Sequence, residues 1–206
     1  MKKLFLALTV LVLAVMACNL PSAKSTPPAA TATPKPGMIW YYGNGMRMML
    51  PDSYQQRDVA QDMPAILETL QSFLGGADGA IADLIGDLES NVGWWGFDSA
   101  AHAISPTRLL VVRNEKFAGT PLNMLSGAVK LFLGNQADKI ESTSLTLGTR
   151  DVVRFTYAGE SSGWVTYTFK ESGLIWLVVF MTTPANLAAQ FENFEASVAT
   201  FEVTGE

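Results

Sequence analysis

Apolar and polar residues alternate along the carboxy-terminal third of the chain in the manner of short β-strands. Residues 153–157 and 165–169 carry Val, Phe or Tyr at every second position, with Arg or Thr between them. This period of two predicts strands with one buried face. Residues 174–181 are apolar throughout, which is typical of a central strand. Turn residues at 159–163 and 171–173 separate the three strands.

The amino-terminal half of the folded region contains further strand patterns. Residues 39–42 and 46–50 flank Gly43-Asn44-Gly45. An Asn-Gly pair predicts a tight turn because both residues tolerate a positive φ, so these two strands form a hairpin. Three more strands are predicted at residues 92–98, 108–113 and 140–147.

Apolar residues at helical spacing predict a pair of helices between residues 62 and 91. Pro64 suits the first turn of the first helix, and Gly75-Gly76 ends it. Asp78 can cap the second helix. The predicted apolar faces are Ile66, Leu67, Leu70, Phe73 and Leu74 in the first helix, and Ile81, Leu84, Ile85 and Leu88 in the second.

Two more helices are predicted further along, each opened by a proline. One follows Thr120-Pro121, and the other begins at Pro184. Their predicted inward residues are Leu122, Leu125, Val129 and Phe132 in the first, and Leu187, Phe191, Phe194, Val198 and Phe201 in the second. The elements together predict an α+β fold with an antiparallel sheet flanked by helices and an inserted helical hairpin. No second change in composition appears after Gly37, so residues 38–206 are expected to form one globular domain.

The first seventeen residues have the pattern of a signal peptide. Lys2 and Lys3 precede an apolar stretch twelve residues long, Leu4 to Val15, which is too short for a comfortable membrane span. Val15-Met16-Ala17-Cys18 resembles the lipobox of bacterial lipoproteins, in which the cysteine sulfur receives diacylglycerol and the chain is cut before that cysteine. Cys18 is the only cysteine of the chain. The resemblance therefore implies lipidation at Cys18. An ordinary secreted protein cut near Ala17 and an uncleaved membrane anchor are the alternatives.

The segment that follows Cys18 has the composition of a tether. Residues 19–37 are rich in Pro, Thr, Ala and Ser, with no aromatic residue. Such a segment cannot bury a core, so we expect it to be disordered and to act as a spacer. The predicted arrangement is a domain held at the extracytoplasmic face of the cell membrane by lipid on Cys18.

The overall composition limits the kinds of partner. Apolar residues make up 49% of the chain and charged residues 16%, which is enough apolar material for a packed core. The formal net charge is −5, and removal of residues 1–17 takes away two lysines and no acid. An acidic chain without a basic run argues against nucleic acid or anionic lipid as a partner.

The sequence contains no recognisable catalytic or metal-binding motif. The only histidine is His102, and the nearby Ser99 and Ser105 lack the glycine pattern of a nucleophile elbow. Asp78, Asp83 and Asp87 lack the spacing of an EF-hand loop, so a solvated helix face is the simpler interpretation. We therefore expect no metal, no cofactor and no enzyme activity, and an envelope hydrolase is the least favoured function.

Aromatic residues supply the candidate binding residues. Trp94 and Trp95 are adjacent in a predicted strand, where their side chains point to opposite faces, so at least one should be in the core. Trp40 and Tyr42, with Tyr41 between them, pose the same question. Core packing is favoured for these aromatics. If they were exposed on one surface, they could bind a glycan by stacking or a protein partner.

The chain also resembles PsbP-like domains. Residues 45–54, Gly-Met-Arg-Met-Met-Leu-Pro-Asp-Ser-Tyr, match an opening strand that ends in a Leu-Pro-x-x-aromatic motif. A helix after Thr120-Pro121, three meandering strands and a final helix ending at Thr200-Phe201 also fit. The family includes LpqN-type bacterial lipoproteins. The resemblance implies an α/β/α sandwich, typically non-enzymatic, that docks other proteins or assists assembly.

These observations lead to one preferred function and two alternatives. The preferred function is a membrane-anchored binding or assembly-accessory lipoprotein with an unidentified protein partner. The first alternative is an envelope glycan binder that uses exposed Trp and Tyr side chains, and the second is the hydrolase.

Overall fold

The computed structural model describes residues 36–74, 88–100, 106–122, 124, 127 and 139–205. Ten strands and three helices lie in these ranges. The strands are β1 (Met38–Gly43), β2 (Met46–Pro51), β3 (Tyr54–Gln56), β4 (Val92–Asp98), β5 (Thr107–Asn114), β6 (Ile140–Leu147), β7 (Arg150–Ala158), β8 (Gly163–Glu171), β9 (Leu174–Thr182) and β10 (Glu202–Val203). The helices are α1 (Met63–Leu74), α2 (Leu88–Asn91) and α3 (Pro184–Ala199).

The strands form two antiparallel sheets. The large sheet has the order β3-β4-β5-β9-β8-β7-β6, and the small sheet has the order β1-β2-β10. All eight strands predicted from the sequence are present. The sequence did not predict β3 and β10, because strands of three and two residues are too short to show an alternating pattern.

Two tight turns set the register of the last hairpins in the large sheet. Glu171 pairs with Leu174 across Ser172 and Gly173, which have φ values of 51° and 76°. Two positive φ values in a two-residue loop define a type I′ turn, whose twist matches that of the strands it joins. Gly148 is the first residue of the two-residue loop between β6 and β7, and its φ is 62°. A positive φ at this position is typical of a type II′ turn.

Apolar residues cover both faces of the large sheet and give the domain two cores. The α3-side core lies beneath α3 and the small sheet, and the α1-side core lies beneath α1. The α3-side core includes Met46, Met48, Leu50, Trp94, Val111, Tyr167, Trp176, Phe180, Phe194 and Phe201. The α1-side core includes Ile66, Leu70, Trp95, Leu110, Val112, Val153, Phe155, Trp164 and Val179. This arrangement of helix, sheet and helix confirms the predicted α+β class.

The last helix follows the sequence prediction closely. The Thr183 side chain accepts a hydrogen bond from the Asn186 backbone N–H at 3.4 Å, so it caps the helix, and Pro184 occupies the first turn. Leu187, Phe194 and Val198 are buried, as is Phe201, which follows the helix. The ring of Phe194 stacks on that of Phe180 in β9, with centroids 4.2 Å apart. Large apolar side chains therefore bind α3 to the middle of the sheet.

The first helix agrees with prediction in position but not at every residue. Ile66 and Leu70 are buried, whereas Leu67 is 41% exposed. The prediction for Leu67 was wrong. Consecutive residues of a helix are rotated by about 100° from each other, so the Leu67 side chain points away from the sheet when Ile66 faces it. Parts of the helical predictions lie outside the described side chains: Phe73, Leu74, Asp78, Ile81, Leu84, Ile85, Leu88, Leu125, Val129 and Phe132.

The small sheet is attached to the large one at the turn between β1 and β2. The Asn44 backbone N–H donates to the Gly93 carbonyl oxygen at 2.7 Å. A Cβ on Gly43 would lie 2.1 Å from the same oxygen, so only glycine fits this crossing. Gly45 has φ of 71° and accepts a hydrogen bond from the Thr204 N–H at 3.1 Å. These contacts fix the orientation of the small sheet.

The predicted amino-terminal features lie outside the described residues. They are the signal peptide, Cys18 and the tether up to residue 35. Among the helices that the structure describes, none is both long and apolar enough to cross a bilayer.

Candidate functional site

The two adjacent tryptophans of β4 are buried in different cores. Trp94 is 1% exposed, and Tyr41 meets its ring edge-on with centroids 5.8 Å apart. Trp95 is 4% exposed, and its Nε1–H donates to Asp62 Oδ2 at 3.2 Å. Since neither indole has an open face, neither can stack on a ligand in this conformation. Both residues therefore pack in a core, which is the role that the sequence favours for them.

Trp40 and Tyr42 have a different environment, on the outward side of the small sheet. Cross-strand register places Trp40 opposite Met49 and Tyr42 opposite Arg47. Glu202 of β10 lies opposite Arg47 on the other side of β2. Paired residues share a face of a sheet. We call the set Trp40, Tyr42, Arg47, Met49 and Glu202 the outer face.

Arg47 is the centre of the outer face. Its guanidinium carbon lies 4.6 Å from the centroid of the Trp40 ring, in a cation–π contact. Its Nε donates to Glu202 Oε2 at 2.8 Å. Hydrogen bonds to Glu202 and to Tyr42 raise the pKa of Arg47. The guanidinium therefore holds the aromatic side chains and the carboxylate together in one exposed group.

Exposure differs among the members of the outer face. Tyr42 is 59% exposed, and Trp40 is half-buried. Met49 is 6% exposed and lies beneath them, while its backbone N–H donates to Thr200 Oγ1 at 2.9 Å. The outer face thus presents one open phenol ring, one partly covered indole and a paired charge on a firmly held strand.

Sequence reasoning found two of these residues and missed three. It selected Trp40 and Tyr42 by residue type. Arg47 could have been found too, because a two-residue turn at Asn44-Gly45 fixes Tyr42 opposite Arg47. Glu202 could not, since its strand comes from the far end of the chain.

Two other places in the described residues hold polar groups away from the outer face. An open depression of about 530 Å³ is lined by Lys139 and residues 157–160. Its described polar side chains are those of Lys139, Tyr157 and Glu160. The Tyr167 hydroxyl and Arg154 Nε are buried on paired strands without a hydrogen-bond partner among the described residues. Burial is the main cause of the raised pKa of Tyr167.

The described residues contain no cluster of three or more metal-ligating side chains. His102, Ser105, Asp78, Asp83 and Asp87 lie outside the described part of the chain.

Comparison with known proteins relates the chain to solved structures only. No protein-family model matches it, and no curated protein matches it. The solution structure of cyanobacterial PsbP from Synechocystis matches with a TM-score of 0.50 and 8% identity, over 91% of this chain and 99% of that one. At this identity the likeness shows the fold alone, and the fold is PsbP-like.

Two further solved structures are less similar in shape. A crystal structure from Bacteroides thetaiotaomicron has a TM-score of 0.45 and 11% identity over 82% of this chain. The present chain spans only 49% of that protein. The structure of LpqN, which is involved in cell envelope biogenesis of Mycobacterium tuberculosis, has a TM-score of 0.38 and 7% identity over 78% of this chain and 83% of that one.

Proposed function

We propose that this protein is a membrane-anchored, extracytoplasmic lipoprotein whose domain binds a protein partner through the outer face and carries out no catalysis itself. Exposure of Tyr42 beside the Arg47–Trp40 pair is the observation that carries the proposal. Tyr, Trp and Arg are the residue types that dominate binding energy in protein interfaces. Here the three are contiguous, and Tyr42 is one of few large apolar side chains exposed in the described residues.

In the proposed arrangement, the outer face lies close to the lipid anchor along the chain. β1 begins at Met38, only twenty residues after Cys18. An extended tether of that length reaches about 3 Å per residue, so the domain stays within tens of ångströms of the bilayer. A partner in or near the membrane is therefore at a high effective concentration.

The anchor is tested by changing the one cysteine. The full chain with Cys18→Ser should leave the membrane fraction, and only the parent chain should incorporate labelled palmitate. A parent chain that takes up no palmitate, together with unchanged fractionation of Cys18→Ser, would contradict the lipoprotein assignment.

The outer face is tested by site-specific photocross-linking in cells, with a photoreactive residue in place of Tyr42. We expect one protein adduct of constant mass. Formation of this adduct should depend on the presence of Arg47. Purified partner should then bind at least tenfold more weakly to Tyr42→Ala and Arg47→Ala chains. Leu67→Ala is the matched control, because it removes another exposed apolar side chain from α1. Equal loss of binding in all three variants would count against the outer face.

A glycan ligand is the second candidate, and the arrangement around Trp40 favours it specifically. An indole and a phenol can stack on sugar rings, while Arg47 and Glu202 lie beside them as hydrogen-bonding groups. Binding on an array of envelope glycans should be lost in Tyr42→Ala and Trp40→Ala. Binding that survives both substitutions would exclude these aromatics as the glycan site.

The absence of catalysis is also open to test. Turnover of a substrate on a broad hydrolase panel, abolished by one point substitution in the purified full chain, would contradict it.

A further inference from the structure

The outer edge of the large sheet is formed by β6. This strand pairs with β7 over its whole length, and the sheet order gives it no other neighbour among the described residues. Its eight residues are Ile-Glu-Ser-Thr-Ser-Leu-Thr-Leu, and the side chains from Glu141 to Ser144 are exposed. The strand therefore borders solvent along its centre.

The turn between β6 and β7 determines which backbone groups point outward. Leu147 and Arg150 close a two-residue loop, and the closing pair of such a hairpin exchanges both hydrogen bonds. The odd-numbered residues of β6 are consequently bonded to β7. The outward N–H and C=O groups belong to Ile140, Ser142, Ser144 and Thr146.

Within the described residues, this edge lacks several features that normally prevent strand pairing. Lysine, proline, bulges and very short length are the usual means of protection. β6 has an uninterrupted register with β7, contains no lysine or proline, and carries one charge, Glu141. At the opposite edge of the sheet, β3 has only three residues. Of the two edges that the described strands give the large sheet, only the β6 edge is thus long enough to accept another strand.

We propose that this edge pairs with β6 of a second copy of the chain, in antiparallel orientation, to make a continuous sheet across a twofold axis. Residues whose backbone groups point outward must lie opposite each other in such a pair. The twofold axis therefore passes through a residue instead of between two residues. The two registers with the greatest overlap of the strands place it at Thr143 or at Ser144. In both registers Glu141 faces a leucine of the second copy, so no like charges oppose each other. Hydroxyl groups also pair at the centre, as Ser142–Ser144 and Thr143–Thr143 with the axis at Thr143, or as Ser142–Thr146 and Ser144–Ser144 with the axis at Ser144. Such pairs stabilise adjoining strands.

Self-pairing accounts for the composition of the edge better than pairing with a foreign segment. A charged partner strand would find only Glu141 to complement it, whereas β6 is complementary to itself. Pairing of one strand buries less than the roughly 1,600 Å² of a standard interface. The dimer should therefore be weak, and its population should depend on protein concentration.

The first test measures mass by sedimentation equilibrium. The full chain carries Cys18→Ser in every sample, so that no native cysteine remains. The weight-average mass should rise with concentration from that of one chain, 22.2 kDa, towards twice that value. Ser144→Lys should abolish the rise, because it places like charges close to the axis. Gln55→Lys, an exposed residue at the opposite edge, should leave the rise unchanged.

The second test locates the contact by oxidation of single cysteines. In the same Cys18→Ser background, Thr143→Cys or Ser144→Cys should form a disulfide-linked dimer, whichever lies on the axis. Gln55→Cys should not. A parent mass of one chain at every concentration overturns the proposal. So does cross-linking that is as efficient at position 55 as at positions 143 and 144, or cross-linking in cells to a different protein instead of a second copy.

Discussion

Trp94 and Trp95 are consecutive residues, yet their indole rings lie in separate cores on opposite faces of the large sheet. The alternation of side chains along a strand is the cause. Each ring has its own surroundings: Tyr41 and Tyr54 contact Trp94, while Asp62 accepts a hydrogen bond from Trp95. The pair thus joins the two layers of the domain through one strand.

Trp94→Ala and Trp95→Ala should each lower the free energy of unfolding by about 3–5 kcal/mol, since each removes a large buried ring and leaves a cavity. The two losses should be nearly additive, because the side chains share no partner across the sheet. Urea unfolding of the single and double variants measures both. A double-variant loss much smaller than the sum would show that the two cores are coupled.

Gly43 should tolerate no side chain. Gly43→Ala would place a Cβ 2.1 Å from the Gly93 carbonyl oxygen, so the small sheet must shift away from β4. We expect a loss of about 3 kcal/mol in the free energy of unfolding, together with weaker partner binding at the outer face.

Gly119→Ala is the control for that substitution. A Cβ on Gly119 meets no atom within 4 Å. Gly119→Ala should change the free energy of unfolding by no more than about 0.5 kcal/mol. Similar losses from both glycine substitutions would mean that the crossing of the two sheets is not the constraint.

Arg150 should contribute more to stability than the exposed arginines. Its guanidinium donates to Glu171 Oε2 at 2.8 Å and to the carbonyl oxygens of Phe201 and Val198 at 2.7 and 3.3 Å. Its side chain is only 11% exposed. Arg150→Met should lower the free energy of unfolding by about 3 kcal/mol, because the Phe201 carbonyl oxygen loses its donor and Glu171 loses its partner.

Arg47→Met is the matched comparison for Arg150→Met. The Arg47 side chain is 36% exposed and its ion pair with Glu202 lies at the surface. Its loss should lower the free energy of unfolding much less than the loss of Arg150, because solvent screens an exposed ion pair. Thermal unfolding of the two variants side by side would reveal the difference, and equal costs would contradict the capping role of Arg150.

Asp62 should make the free energy of unfolding depend on pH in the acidic range. Hydrogen bonds from Arg57 and then from Trp95 lower the pKa of Asp62 below its ordinary 3.8. A carboxyl with a lowered pKa in the folded state contributes stability above the unfolded pKa, and this contribution is lost as pH falls through the folded value. The stability difference between the parent and Asp62→Asn should therefore be constant above about pH 5 and shrink below pH 4.

Arg57→Gln provides the control for the acid effect. It removes the largest cause of the pKa shift while the Trp95 hydrogen bond remains. The acid dependence attributable to Asp62 should then weaken. A stability difference that grows as pH falls would contradict the assigned direction of the shift.

Much of the fold follows from local patterns in the sequence. The alternation in β7 and β8, the apolar run of β9 and the Thr183-Pro184 start of α3 each depend on residues close together in the chain, so each was predictable. The same holds for the opposite directions of Trp94 and Trp95. Short-range sterics and the periodicity of side chains are sufficient for such features.

Only the tertiary structure decided which aromatic residues are exposed. Sequence could not separate Trp94 from Tyr42, because burial depends on which layers cover a face, and those layers come from distant parts of the chain. Glu202 reaches Arg47 from 155 positions away. The division of the strands into two sheets is likewise a long-range result, since β10 completes the small sheet only after the chain has passed through the large one.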